Sequence, residues 1–417
     1  MILHLLYIDP GTGSALFSIL IGGAATVYFL GRALLLKLKV ILAGGKTLSS
    51  SIIPNPYIIY NEGKQYSNVF KPVIDEFEAR GIRLLYLTSA EDDPLLDGQY
   101  NFTKAEFIGE GNKAFSRLNL LKAEVVLMTT PGLDVYQLKR SKAVKHYAHV
   151  LHATNDATLY RLFGIDYYDS ILLTGDYQAS DIRILEEQRG LPAKQLITIG
   201  CTYLDVFAER IKQTPIKQEL NEENHPFTVL VSPSWGASAI LSRFGEKLLD
   251  PLVKTGFHIV LRPHPQSNKS ESVLLEKLRN KYKGSSNLEW DYGVENIHSL
   301  AKADIMISDF SGIIYDYAFL FDKPVIYVKQ KIDLRPYDAY DLGENAVEEL
   351  WQFRTLKEIG VELKEEDFPQ IGEIVESAVD SEQLRIARKK AKDAAWQYRG
   401  EAGKRITDFL ISLGKAG

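Results

Sequence analysis

The chain has 417 residues, 45% of them apolar and 25% charged, enough to bury the cores of two ordinary domains. A formal net charge of −5 argues against a nucleic-acid partner, because such binders carry a basic excess. The single cysteine, Cys201, excludes an internal disulfide and a cysteine-paired zinc site, and the eight histidines form no HExxH pattern, so no metal and no cofactor is expected.

Ser14 to Gly31 is an uncharged, mostly apolar run of about 18 residues, at the short end of what crosses a bilayer. Arg32, Lys37 and Lys39 follow it, which predicts an N-terminal membrane helix with the rest of the chain on the cytoplasmic side of the membrane. Gly22, Gly23 and Gly31 are poor in a soluble helix and tolerated in a membrane one. Asp9 and the lack of a basic start argue against a cleaved signal.

From Tyr57 the chain alternates short apolar runs with amphipathic stretches: Tyr57–Tyr60, Arg83–Leu87, Ala123–Met128, His149–His152 and Ser170–Thr174. This is the rhythm of a parallel sheet wrapped by helices. His146, His149 and His152 fall three apart, and a period of two puts the first and last on one face and His149 on the other, so they do not form a metal cluster. His152 stands where its strand opens, a candidate to take a proton from an acceptor hydroxyl, with Asp156 or Asp166 to orient it; the competing reading is a packed core histidine. The polar stretch Lys212 to Pro226 is the expected domain junction.

Three strand-to-loop junctions follow. Phe227 to Val231 breaks into Ser232-Pro-Ser234-Trp235-Gly236; Phe257 to Leu261 runs into Arg262-Pro-His264-Pro; Asp304 to Ile307 enters Ser308-Asp309-Phe-Ser311-Gly312, then a helix and a further buried run, Lys323 to Val328. The prolines stiffen the second loop, where Arg262 is suited to pair with a phosphate through two hydrogen bonds and His264 to move a proton. A helix start carries unpaired N–H donors and a partial positive charge, so the Ser308–Gly312 turn is suited to an anion, with Ser311 adding a hydroxyl. Asp309 would repel a phosphate unless it caps the helix or takes a ribose hydroxyl. Ser381 to Leu413 reads as an amphipathic helical tail broken near Gly400, its charges solvated.

The ordered set Ser232-Pro-Ser-Trp-Gly236, Arg262-Pro-His264-Pro and Ser308-Asp-Phe-Ser-Gly312 with Tyr-Asp-Tyr-Ala-Phe resembles the CDP-glycerol glycerophosphotransferase family, which includes teichoic acid polymerases and primases. The block from His152 to Gly175, with Tyr160-Arg161 and Phe163-Gly-Ile-Asp-Tyr-Tyr-Asp-Ser170, resembles a branch of the same family. The likeness runs from about residue 145 to 330. It implies an α/β fold of two Rossmann-like, doubly wound domains facing a cleft, the GT-B arrangement. It further implies a membrane-associated enzyme that moves glycerol phosphate from CDP-glycerol to a hydroxyl of a cell-surface polymer or lipid-linked acceptor, releasing CMP. The family's two essential histidines match His152 and His264, with His152-Ala-Thr-Asn standing where the family carries His-Gly-Thr-Pro. Arg262, Ser234, Trp235, Gly236, Ser308, Asp309, Ser311 and Gly312 would then bind the donor. The expected organisation is a membrane helix and basic flank over 1–45, an acceptor domain over 46–220, a nucleotide-donor domain over 221–380 and a helical tail over 381–417. Two rival readings share the same cleft: a transferase using a nucleotide sugar, and a non-catalytic, membrane-anchored nucleotide-binding relative.

Overall fold

Short runs of β-branched and aromatic residues separated by amphipathic stretches pair in parallel, because a crossover must intervene before the next strand can lie beside the last. The computed structural model describes Gly31 and residues 55–213, 226–293, 296–329, 332–343 and 346–415. β1 (Tyr57–Asn61), β2 (Leu84–Thr88), β3 (Thr103–Phe107), β4 (Lys122–Met128), β5 (Ala143–Val150), β6 (Ser170–Leu173) and β7 (Gln195–Thr198) form a seven-stranded parallel sheet in the order β3-β2-β1-β4-β5-β6-β7. β8 (Thr228–Val231), β9 (His258–Leu261), β10 (Leu288–Trp290), β11 (Ile305–Ser308), β12 (Val325–Tyr327) and β13 (Gly360–Glu362) form a six-stranded one in the order β10-β9-β8-β11-β12-β13. This is the expected GT-B-like architecture, and both sheets lie in one compact unit. In each the winding reverses once, between β1 and β4 and between β8 and β11, and the reversal opens a crevice at the carboxyl ends of the strands.

Both faces of each sheet are covered. Ile58 and Tyr60 of β1 enter one core while Tyr57 and Ile59 enter the other. The four residues of β8 and the four of β11 are all buried, as strands sandwiched between helices must be. In the second sheet Val229, Ile259 and Ile307 face one core, and Leu230, Met306 and Val325 face the other.

The C-terminal stretch divides into helices Glu382–Ala395 and Ala402–Lys415. The first covers the second sheet through Ala391 and Ala395, and the other returns to the first sheet, burying Ala402, Ile406 and Leu410 against helix Ser67–Ala79. A Cβ on Gly403 would sit 2.6 Å from Pro72, so only glycine permits this approach. Asp205 caps the returning helix, accepting from Gly400 N (2.7 Å), Ala402 N (3.2 Å) and the Trp396 indole (2.8 Å).

The N-terminal membrane helix expected over 14–31 is not retained. Among the described residues no helix is long and apolar enough to cross a membrane. The two longest have 14 residues each, about 21 Å against a hydrocarbon core of about 30 Å, and both carry charges. Apart from Gly31 the segment itself lies outside the described residues, as do its basic flank and positions 214–225 of the expected domain junction.

Leu410 is 2% exposed. Leu410→Ala is expected to cost about 2–5 kcal/mol of stability in urea titration, against less than about 0.5 kcal/mol for the surface change Lys389→Ala.

Candidate active site

The loops singled out from the sequence leave the carboxyl ends of β8, β9 and β11, adjacent in the second sheet and flanking its point of reversal. What joins them is hydrogen bonding inside the protein. The Asp309 carboxylate, 1% exposed, accepts from Ser234 N (3.0 and 3.2 Å) and from Ile240 N (3.1 Å). The Ser308 hydroxyl, fully buried, donates to the Ser232 carbonyl. Asp309 thus faces inward and fastens the loop after β8 to the turn after β11, which removes the repulsion an outward carboxylate would bring to a phosphate. Burial raises its pKa, and the N–H donors of Ile240 and Ser234 partly reverse that.

Arg262 is likewise engaged. It pairs with Asp291 through Nη1 and donates Nη2 to the Gly293 carbonyl at 2.7 Å, its side chain 12% exposed. The structure therefore places its guanidinium in an ion pair beneath the loop. His264 stands differently: its Nδ1 accepts from Gln266 N at 3.1 Å, so the neutral ring carries its proton on Nε2. Burial lowers its pKa while Glu271 and Asp309 raise it. The half-exposed Trp235 ring lies 6.3 Å from the imidazole, and Gly236 turns at a φ of 92° with its N–H on Glu271 at 3.1 Å.

Ser311 and Gly312 begin helix Ile313–Phe321, where Ile314 N and Tyr315 N already bond back to the Ser311 and Gly312 carbonyls. A Cβ on Gly312 would sit 3.3 Å from Asn155 Oδ1, so this turn abuts the loop that follows His152. Between them lies a cavity of about 280 Å3 lined by His152, Asn155, Asp156, Tyr160 and Gly312. The first half's candidate base and the second half's anion turn thus share one space. Ser308, Asp309, Ser311, Arg262 and His264 are not part of its lining.

His152 follows the end of β5. Its Nδ1 meets Thr129 Oγ1 at 2.9 Å and Tyr160 OH at 3.3 Å, and the Tyr66 ring packs 4.7 Å away. Burial lowers its pKa to about 4, so the ring is neutral at pH 7. His149 is fully buried between Tyr160 and Tyr168 and so shares Tyr160 with His152, whereas His146 Nε2 bonds Ser170 Oγ at 2.9 Å. Neither carboxylate expected to orient His152 does so. Asp156 accepts from Trp351 N (3.0 Å) and Gln352 N (2.8 Å), and Asp166 pairs with Arg189 at 2.7 Å. Thr129 and Tyr160 take that place. Thr129 leaves β4 at the reversal point of the first sheet, a topological signal present in the Thr129-Thr130 pair that ends its apolar run.

Removing the Asp309 carboxylate strands two buried N–H groups. Asp309→Ala is expected to cost about 1–3 kcal/mol for each in denaturant titration. The His152 imidazole binds a proton less readily folded (about 4) than unfolded (about 6.5), so its contribution to stability is whole above about pH 6.5 and is lost as pH falls toward 4. NMR of labelled histidine should show a His152 midpoint near 4, and one near 6.5 would refute its burial.

The matching family model, described as CDP-Glycerol:Poly(glycerophosphate) glycerophosphotransferase, covers residues 125–343. No curated protein matches the sequence. Among solved structures, the chain is similar to the wall teichoic acid polymerase TagF, with 15% identity, a TM-score of 0.56, and 95% of this chain and 98% of that one covered. It is also similar to UDP-GlcNAc 2-epimerase from Neisseria meningitidis bound to UDP-GlcNAc, with 16% identity, a TM-score of 0.53, and 85% and 100% covered. At these identities the likeness is one of fold. The family model, which spans just over half of the 417 residues and encloses both histidine loops and the Ser308–Gly312 turn, settles the kinship: the chain belongs to the CDP-glycerol:poly(glycerophosphate) glycerophosphotransferase family of enzymes.

Proposed function

We propose that the protein moves a glycerol phosphate unit from CDP-glycerol to a hydroxyl of a cell-surface polymer or lipid-linked acceptor, releasing CMP. The observation that carries this reading is the cavity shared by His152 and Gly312, which sets a neutral imidazole opposite a helix start. TagF, which shares the fold, is a wall teichoic acid polymerase and has been soaked with CDPG in a variant form.

In this reaction the acceptor oxygen bonds to the donor's β-phosphorus, the bond from that phosphorus to the oxygen shared with CMP breaks, and the acceptor proton goes to His152. With Nδ1–H donated to Thr129 Oγ1, the Nε2 lone pair faces the proton. A pKa near 4 makes His152 a weak base, sufficient for a loose phosphoryl transition state in which the nucleophile keeps its proton until late. The partial positive charge at the start of helix Ile313–Phe321 meets the charge that grows on the equatorial oxygens, and the Nε2–H of His264 meets the departing CMP. Ser234, Trp235, Gly236 and Ser311 would shape the donor pocket, while Ser308, Asp309 and Arg262 hold its walls. On this reading the enzyme works at the cytoplasmic face of the membrane, and the lone buried thiol of Cys201 agrees with a reducing compartment.

The test is CMP release from CDP-glycerol by the purified protein, with and without membrane lipid extract, beside His152→Ala and His264→Ala. Lipid-dependent release that falls at least about 100-fold in each folded variant is expected. Release equal in wild type and variants would overturn the assignment of both histidines, and turnover of a nucleotide sugar in place of CDP-glycerol would overturn the donor.

A further inference from the structure

We infer that Asp338, from the second half of the chain, is a positioning residue for His152, acting through the loop Tyr160–Gly164. This rests on the reading of His152 as the proton acceptor. Asp338 has no solvent exposure, and its carboxylate accepts from Phe163 N at 2.6 Å and Gly164 N at 3.1 Å. Its own N–H donates to the Tyr160 carbonyl at 2.9 Å, Leu162 N donates to the Pro336 carbonyl at 3.2 Å, and Arg161 and Tyr337 form an isolated antiparallel bridge. Tyr160 is the residue whose hydroxyl meets His152 Nδ1.

The loop needs such a hold. Phe163 has a φ of 65°, a left-handed conformation unfavourable for an aromatic side chain, and a Cβ on Gly164 would lie 2.7 Å from Tyr160 Cβ and 2.9 Å from the Arg161 carbonyl. A turn this tight relaxes once its N–H groups lose their acceptor. Arg189 closes the arrangement, reaching Asp338 at 2.9 Å, Asp166 at 2.7 Å and Asp341 at 2.6 Å, so Asp166, two residues beyond the loop, and the second half's Asp338 share one guanidinium. At its other end the segment after His152 is tied by Asp156, which caps helix Trp351–Ile359 of the second half. The two carboxylates cross between the halves in opposite directions and bracket residues 156–164. The second half thereby sets where Tyr160 stands, and Tyr160 sets the ring of His152.

The experiment compares Asp338→Ala, Asp338→Asn and His152→Ala in the full-length protein, by steady-state transfer from CDP-glycerol and by NMR titration of labelled His152. For Asp338→Ala the expected result is a kcat at least tenfold lower with the KM for CDP-glycerol within twofold, and a His152 midpoint moved up from about 4 toward 6.5 as water enters the loop. Asp338→Asn keeps one acceptor oxygen for Phe163 N–H, loses the charge facing Arg189 and should fall between; it carries the test if the alanine variant does not fold. An unchanged kcat with an unmoved His152 midpoint in folded Asp338 variants, where His152→Ala is inactive, overturns this proposal alone. A fully active His152→Ala overturns the reading of His152 as base and the proposal with it.

Discussion

Buried and half-buried carboxylates holding pairs of backbone N–H groups are the interaction on which this architecture depends. Asp309 takes Ser234 and Ile240, Asp156 takes Trp351 and Gln352, Asp338 takes Phe163 and Gly164, and Asp205 takes Gly400 and Ala402. Each joins segments far apart in sequence, and each satisfies amides at a loop or helix start that the hydrogen-bond ladders of sheet and helix leave open. A parallel α/β domain gathers its loops at one edge, where such amides accumulate, and acceptors supplied by neighbouring loops turn that edge from a set of free ends into a shaped surface.

The arrangement sets the electrostatics of the cavity. Burial outweighs the hydrogen bonds at Asp156 and Asp338, raising each to about 6, and lowers His152 to about 4 and His149 to about 3. At pH 7 both imidazoles are therefore neutral, while Asp156 and Asp338 remain mostly ionised and are held by backbone N–H groups and, for Asp338, by Arg189. Asp309, two residues ahead of Ser311, points into the protein for the same reason: its two N–H partners lie there.

Much of the fold was legible. Tyr57–Tyr60, Ala123–Met128 and Ser170–Thr174 are strands because their apolar runs are short, rich in β-branched and aromatic residues, and bounded by breakers. The loops bearing His264 and Gly312 were legible because proline, glycine and serine at strand ends announce a turn. What each polar side chain does there was not. Ser308, Asp309 and Arg262 carry groups equally able to face a ligand or a neighbouring loop, and the choice follows from which N–H, carbonyl or carboxylate lies within 3 Å after folding. Thr129 escaped notice because its link to His152 spans 23 residues and two strands.

Residue order alone determined the alternation that yields two parallel sheets, and the presence of two histidines at the ends of strands in different halves. Hydrophobic period and turn chemistry act over a few residues and survive without knowledge of partners. Only the tertiary structure decided that His152 and Gly312 face one cavity, that Asp338 reaches back to the loop beside His152, and that the final helix covers the first sheet. Those are meetings between segments separated by more than a hundred residues, set by strand order and by the packing of helices on both sheet faces, quantities that no local pattern encodes.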